Sequence, residues 1–295
     1  MTVEAATRAA MSLGAILAVT GGGILVVDRS STRPIWASVL AQRWLTWAVL
    51  GPLWLVAAAW IPARVGLLSI LAVASATEFV RLRPALVRAD SWLLTALAAS
   101  SIALVAVGVD PVIVVIAGAL SGVVLPIVSQ DVLNGPRRVS DFAFGFVAVV
   151  TPFTLLFVFA DLTSGSSLFV LGLAVALSDV TAYVLGTAVG RQRLARRLSP
   201  NKTYAGLAGN VLGALLGLSI AAAAGIGPWS ALWLGPIIGV TAVLGDLLLS
   251  MFKRSAGVKD AGKILPGFGG VLDRVDSLLL CAPVLFAFAS VGWFG

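Results

Sequence analysis

Long apolar runs alternate with short polar loops along the whole chain. Each run is about the length that an α-helix needs to cross the hydrocarbon layer of a membrane. We count ten, around residues 11–27, 44–60, 66–80, 91–108, 111–130, 142–160, 166–190, 207–225, 231–252 and 277–293. Nine is the alternative count, because the second run is short and Arg43 and Pro52 make its boundaries uncertain. The pattern predicts an all-α, polytopic bundle of transmembrane helices with no soluble domain.

Composition supports this class and limits the chemistry. Hydrophobic residues make up 59% of the 295 residues and charged residues only 11%, whereas soluble domains carry about 25% charge. The chain contains no histidine, which excludes a Ser-His-Asp triad and histidine-ligated zinc. The first run lacks a basic segment before it, since Glu4 precedes Arg8. We therefore expect a retained helix there rather than a cleaved signal peptide.

The net charge of +7 is distributed unevenly between alternate loops. Of the 20 Lys and Arg residues, 18 fall in alternate loops on one face, and only Arg8 and Arg64 fall on the other. Basic loops remain in the cytoplasm, so we expect ten spans with both termini outside, in the cell (inner or plasma) membrane. This accounts for the basic balance without a nucleic-acid partner.

Polar residues concentrate in the second half of the chain. We divide it into N-terminal helices (1–135) and C-terminal catalytic helices (136–295), with cytoplasmic loops at 191–204 and 253–274. Glu78 and Asp131, near helix ends, are conspicuous acids of the first half. Small residues also recur at helical spacing, at Gly186, Gly190, Gly209, Gly213 and Gly217. This spacing favours close helix packing, with lipid access to a site as the alternative, and it is compatible with a homodimer.

A stripe of polar residues follows the ninth apolar run toward the cytoplasm. Asp246, Ser250, Lys253 and Arg254 share one helix face by their spacing. An ionisable residue inside a membrane helix indicates a functional site. The simpler interpretation is that Asp246 only pairs with Lys253 at the helix end.

The residues that follow favour a functional site. Lys259 and Asp260 precede the glycine turn 266–270, whose Gly269 and Gly270 can approach phosphate oxygens. Three carboxylates could bind Mg²⁺, and three cations could offset the charge of a polyphosphate. The carboxylates are Asp246, Asp273 and Asp276, and the cations are Lys253, Arg254 and Arg274. Together they indicate phosphoryl or nucleotidyl transfer.

A second polar cluster lies at the end of the seventh run. Asp179, Tyr183, Gly186 and Gly190 share a helical face. Ser199 and Pro200 then predict a turn, and Lys202 and Thr203 supply a cation and a hydroxyl. The alternative for Ser199 is that it caps the next helix.

These segments resemble the phosphatidate cytidylyltransferases, or CDP-diacylglycerol synthases. The resemblance covers about residues 175–280. It rests on Ser250-Met-Phe-Lys-Arg254, Lys259-Asp260 and Leu265-Pro-Gly-Phe-Gly-Gly-Val-Leu-Asp-Arg-Val-Asp276, and upstream on Asp179–Tyr183 and Ser199–Thr203. It implies an enzyme that joins CTP to phosphatidate in the bilayer for phospholipid biosynthesis, giving CDP-diacylglycerol and pyrophosphate.

The resemblance also implies roles for particular residues. It implies a metal centre that includes Mg²⁺ at Asp246, Asp273 and Asp276, with a second cation left open. On that basis we assign catalysis to Lys253, Arg254, Asp273 and Asp276. Substrate binding is assigned to Asp179, Lys202, Thr203, Ser250, Lys259, Asp260, Gly269, Gly270 and Arg274.

The sequence departs from the family pattern at two positions. Phe268 replaces the usual His of the glycine turn, and Ala205 stands where an acidic residue usually precedes Gly206. Two alternatives follow: a cytidylyltransferase for a different lipid phosphate, or a catalytically impaired homologue that binds lipid or acts as a scaffold. A transporter with Asp179 and Asp246 on an ion path is a third hypothesis. The polar residues gather at one end rather than along the full depth, which argues against it.

Overall fold

The computed structural model of the protein describes residues 1–27, 39–262 and 269–292. The helices of the first half are α1 (Val3–Val27), α2 (Val39–Ala59), α3 (Ile61–Arg81), α4 (Arg88–Ala106), α5 (Pro111–Ser121) and α6 (Val124–Val128). Those of the second half are α7 (Gly135–Gly145), α8 (Thr151–Leu162), α9 (Gly165–Ala188), α10 (Tyr204–Ala223), α11 (Leu234–Ser255), α12 (Leu272–Val275) and α13 (Leu278–Ser290). Between α9 and α10, strands β1 (Arg193–Ala195) and β2 (Ser199–Thr203) form an antiparallel hairpin.

The predicted membrane spans coincide with these helices. Within the described ranges, eight helical segments are long and apolar enough to cross a membrane. Helices α5 and α6 make one of them, and α7 and α8 make another through the π-helical turn 146–150. Two shorter apolar helices, Ala48–Ala59 and Leu278–Ser290, match the second and tenth predicted runs. The all-α polytopic bundle is confirmed.

Buried apolar residues of both halves form one continuous core. Leu68 on α3, Phe153 on α8 and Leu285 on α13 belong to the same cluster. The division at residues 135 and 136 therefore stays a prediction about where the chemistry lies, since the packing crosses it.

The glycines of α10 bring this helix into backbone contact with α9. A Cβ at Gly209 would lie 2.6 Å from the Thr181 carbonyl oxygen, and one at Gly217 would lie 2.6 Å from Ala174 Cα. The prediction of close helix packing is confirmed. Because these glycines are used within the chain, they no longer argue for a homodimer, which stays a prediction.

Charged side chains mark the two ends of the bundle differently. At the end where α3 finishes and α4 begins, which we call the basic end, Arg138 binds both oxygens of Asp90 at 2.8 and 2.9 Å and Asp131 at 2.9 Å. At the opposite end, buried Arg64 donates to the carbonyl oxygens of Ala57 and Ala58, both at 3.1 Å, and so caps α2. The basic end carries the candidate site.

Candidate active site

Asp246 lies on α11, a little over two turns before the end of the helix. Its carboxylate accepts a hydrogen bond from Ser250 Oγ at 3.3 Å, as their spacing on one helix face predicts. Its other oxygen lies 2.5 Å from Lys202 Nζ on β2. The simpler interpretation, in which Asp246 only pairs with Lys253, is therefore wrong. The hairpin between α9 and α10 supplies the cation instead.

Lys253 pairs with Asp273 in a nearly dry environment. The distance from Lys253 Nζ to Asp273 Oδ1 is 2.6 Å, and the two side chains are only 10% and 7% exposed. Asp273 Oδ2 accepts the backbone N–H groups of Ala261 at 2.8 Å and Gly270 at 2.9 Å. Asp273 thus ties together the end of α11, the segment that follows it and the start of α12.

The glycine turn is described only in part. Phe268 and the rest of 263–268 lie outside the described residues. Gly269 has a φ of +83°, and a Cβ there would lie 2.8 Å from Asp273 Oδ2, so glycine is required on both counts. The amide of Gly270 donates to Asp273 and is not directed at a phosphate in this arrangement.

Asp276 lies between α12 and α13 and is 9% exposed. Burial raises the pKa of Asp276 well above its usual value, and the nearby charges of Asp246 and Asp179 raise it further. A Cβ at position 245 would overlap the Asp276 carbonyl oxygen, so Gly245 lets the backbone at Asp276 approach α11 beside Asp246. Asp246 and Asp179 thus place negative charge near Asp276, opposed by Lys202 and Lys253.

The predicted metal centre at Asp246, Asp273 and Asp276 stays a prediction. No group of three or more His, Cys, Asp or Glu residues that could hold a metal ion occurs in the part of the chain that the structure describes. Both oxygens of Asp273 are engaged, by Lys253 and by backbone amides. Mg²⁺ needs only one or two protein carboxylates when substrate phosphates complete its shell. Asp246 and Asp276 have the chemistry for that.

Several predicted site residues have other contacts. Arg254 is exposed and donates to the carbonyl oxygens of Leu198 at 3.3 Å and Val258 at 3.1 Å, so it braces the hairpin rather than reaching Asp246. Thr203 accepts the Gly206 N–H at 3.0 Å and caps α10. The interpretation of Ser199 as this cap is wrong, because Ser199 begins β2. The side chains of Lys259, Asp260 and Arg274 are exposed at the same end.

Asp179 lies on α9 at the join with α10. The preceding residue, Ser178, is fully buried and donates to Asn210 Oδ1 at 2.6 Å, while Asn210 Nδ2 donates to the Gly206 carbonyl oxygen at 3.2 Å. Asp179 itself is exposed. Tyr183, predicted on the same face, is 63% exposed, whereas Gly186 faces Thr203 and Gly206.

Glu78 has a role that sequence reasoning missed. This side chain of α3 is fully buried and accepts the N–H groups of Val271 at 3.0 Å and Leu272 at 2.8 Å. The available signal was an acidic residue near the end of an apolar helix. Its partners lie 193 and 194 residues away in the sequence, which no local spacing indicates.

Comparisons with a family model and with individual proteins point to the same family. A sequence model described as the cytidylyltransferase family matches residues 31–291. A Brucella abortus protein named phosphatidate cytidylyltransferase is 44% identical over 118 residues, which are 39% of this chain and 43% of that protein. A Mycobacterium leprae protein of the same name is 36% identical over 166 residues, 53% of each chain. YnbB of Escherichia coli, named an uncharacterized protein, is 42% identical over 118 residues, 38% of each chain. The matched segments cover between 38% and 53% of the length of these relatives.

Proposed function

Because this chain belongs to the cytidylyltransferase family, we propose that it is a membrane nucleotidyltransferase that joins CTP to phosphatidate, forming CDP-diacylglycerol and pyrophosphate. The relatives named phosphatidate cytidylyltransferase support this substrate pair. The observation that carries the proposal is the buried carboxyl of Asp276, whose backbone lies against α11 beside the Asp246 carboxylate that pairs with Lys202 at 2.5 Å. Such a site suits a cation and a polyphosphate together.

The reaction needs no protein base. An oxygen of the phosphate monoester of the lipid attacks the α-phosphorus of CTP and forms a new P–O bond. The bond between the α-phosphorus and the oxygen bridging to the β-phosphorus breaks, and pyrophosphate leaves with the electron pair. A phosphate monoester is largely anionic at neutral pH, so the nucleophile arrives already deprotonated. This agrees with a chain that contains no histidine.

The residues of the site divide into ligands and supports. Asp246 and Asp276 would hold Mg²⁺, which would offset charge on the triphosphate and on departing pyrophosphate. Lys202 reaches Asp246 while remaining 22% exposed, so it can also contact nucleotide phosphates. Lys253 is held by Asp273 and nearly buried. We assign the Lys253–Asp273 pair to positioning the loop rather than to contact with substrate.

The orientation follows from charge. With 18 of 20 basic residues in the loops of one face, the basic end would face the cytoplasm, where CTP is available. Phosphatidate would enter sideways from the bilayer. We propose the cell (inner or plasma) membrane as its location, in keeping with the bacterial relatives named phosphatidate cytidylyltransferase.

The test is an assay of purified protein in mixed micelles with phosphatidate, Mg²⁺ and CTP labelled at the α-phosphate. We expect lipid-dependent transfer of label into the organic phase and matching release of pyrophosphate. Asp276→Asn removes a carboxylate that would bind the cation, and the rate should fall at least about 100-fold. Asp110→Asn is the matched control, because Asp110 caps α5 and asparagine caps helices equally well. Lack of turnover by the intact protein with phosphatidate would refute the proposal.

The two alternatives raised by Phe268 and Ala205 are separated by the same assay. Turnover only with another lipid phosphate would identify a different acceptor, and CTP binding without turnover would identify an impaired homologue. Phe268 lies outside the described residues, and Ala205 lies in the first turn of α10 beside the Thr203 cap. Neither alternative is favoured by a described contact.

A further inference from the structure

Glu78 is a buried acid whose two oxygens are both used. It lies near the end of α3, with no exposed surface. A carboxylate in such a place is costly unless it is hydrogen-bonded. Its partners are the backbone N–H groups of Val271 and Leu272. These two residues directly precede Asp273, so the N-terminal half of the chain holds the backbone that carries the site.

Two glycines, Gly262 and Gly270, lie directly against this carboxylate. A Cβ at Gly262 would overlap Glu78 Oε1, and a Cβ at Gly270 would overlap Glu78 Oε2. The Glu78 carboxylate cannot move away from either Cβ, because it is fully buried and both of its oxygens accept backbone hydrogen bonds. Glycine is therefore required at both positions for the backbone at residues 262 and 270 to lie against Glu78.

Glu78 and Asp273 share the backbone amides of one loop. Asp273 accepts hydrogen bonds from the backbone N–H groups of residues 261 and 270, and Glu78 accepts them from residues 271 and 272. The residue after Glu78 adds a second link: the ring of Phe79 packs edge-on against Phe252, with centroids 5.8 Å apart. Phe252 directly precedes Lys253. Helix α3 thus contacts the side chain that precedes Lys253 and the backbone that precedes Asp273.

We propose that Glu78 is a positioning residue of the active site. Its carboxylate fixes the backbone of residues 270–272, and through it the place of Asp273, of Lys253 bound to Asp273, and of Asp276 one helical turn later. The link to catalysis rests on the proposed function, whereas the link to the loop does not. The two links are tested separately.

The loop is tested by hydrogen–deuterium exchange in detergent, with peptides that resolve the amides of Val271 and Leu272. Glu78→Gln preserves size, but it turns an N–H donor toward one of the two backbone donors. Exchange at these two amides should become at least about tenfold faster, because hydrogen bonds to a charged acceptor are lost, while the amides of α10 keep their rates. Ser75→Ala is the matched control: Ser75 lies one turn earlier on α3, is fully buried, and its Oγ has no partner among the described residues. Unchanged exchange at residues 271 and 272 in Glu78→Gln would overturn the proposal.

The kinetic readout separates positioning from general stability. Glu78→Gln should lower kcat about 100-fold, the scale of a 1 Å displacement of catalytic groups, with KM for CTP close to the wild-type value. Ser75→Ala should change neither constant. If wild type turns over and Glu78→Gln matches its kcat, the positioning role is refuted. If wild type does not turn over, the proposed function fails and the exchange measurement still decides the role of Glu78.

A second variant covers the case in which Glu78→Gln does not fold. Glu78→Asp keeps the charge and withdraws it by one methylene group. Exchange at residues 271 and 272 should be faster than in wild type, because the shorter side chain draws its carboxylate away from the two amides. Wild-type exchange in Glu78→Asp would then count against the proposal.

Discussion

The buried pair of Lys253 and Asp273 supports a quantitative prediction. Their side chains are 10% and 7% exposed, with 2.6 Å between Nζ and Oδ1. Removing one partner of such a pair leaves an uncompensated charge and costs about 3–5 kcal/mol. Lys253→Met keeps most of the apolar stem. We expect this variant to lose folding stability at the low end of that range, about 3 kcal/mol, because Asp273 keeps two backbone N–H donors.

Asp273→Asn should cost more than Lys253→Met. It leaves the Lys253 ammonium buried and weakens the two backbone hydrogen bonds to Oδ2, so we expect about 4–5 kcal/mol. The double variant leaves neither charge behind. Its cost should therefore fall short of the sum of the single variants by about 2 kcal/mol.

The assay is thermal unfolding in detergent, followed by the fluorescence of the nine tryptophans. At about 2 °C per kcal/mol for a chain of this size, Lys253→Met should lower Tm by about 6 °C. Lys259→Met is the control, because Lys259 is exposed on the segment that follows α11, and it should shift Tm by no more than about 1 °C. The reasoning would be refuted if the Tm shifts of the two single variants added up to that of the double variant. It would also be refuted if Lys253→Met shifted Tm no more than the control does.

Two further predictions concern packing and metal binding. Gly213→Ala would place a Cβ against the Leu177 carbonyl oxygen and Thr181 Oγ1 of α9. This overpacking should cost about 2 kcal/mol and lower Tm by about 4 °C. Gly66→Ala, at an open position of α3, should not lower Tm, and equal Tm values for the two variants would contradict the close packing of α9 and α10. Mg²⁺ at 100 times its Kd should stabilise wild type by about 2.7 kcal/mol, measured as a Tm increase without substrate; an equal increase in Asp246→Asn would show that Asp246 is not a ligand.

The sequence alone determined the class of the protein, most of its helices and its family. In a bilayer, an apolar run of sufficient length has one stable solution, a helix that satisfies its own backbone, so each predicted span falls on a helix. The spacing of Asp246 and Ser250 and the glycines of α10 likewise predicted contacts that local geometry controls. The signature at residues 250–276 indicated the family, which the match over residues 31–291 confirms.

Only the tertiary structure decided which charges meet. Lys253 follows Asp246 by seven residues, which is about 10 Å along a helix. The ammonium group of Lys253, near the end of α11, pairs with Asp273 instead. Asp246 pairs with Lys202 on β2. Helical spacing cannot predict such partners, because each comes from a segment whose position depends on the packing of other helices. Glu78 is the extreme case, since packing of α3 against α11 and α12 brings a residue of the first half to the backbone beside Asp273.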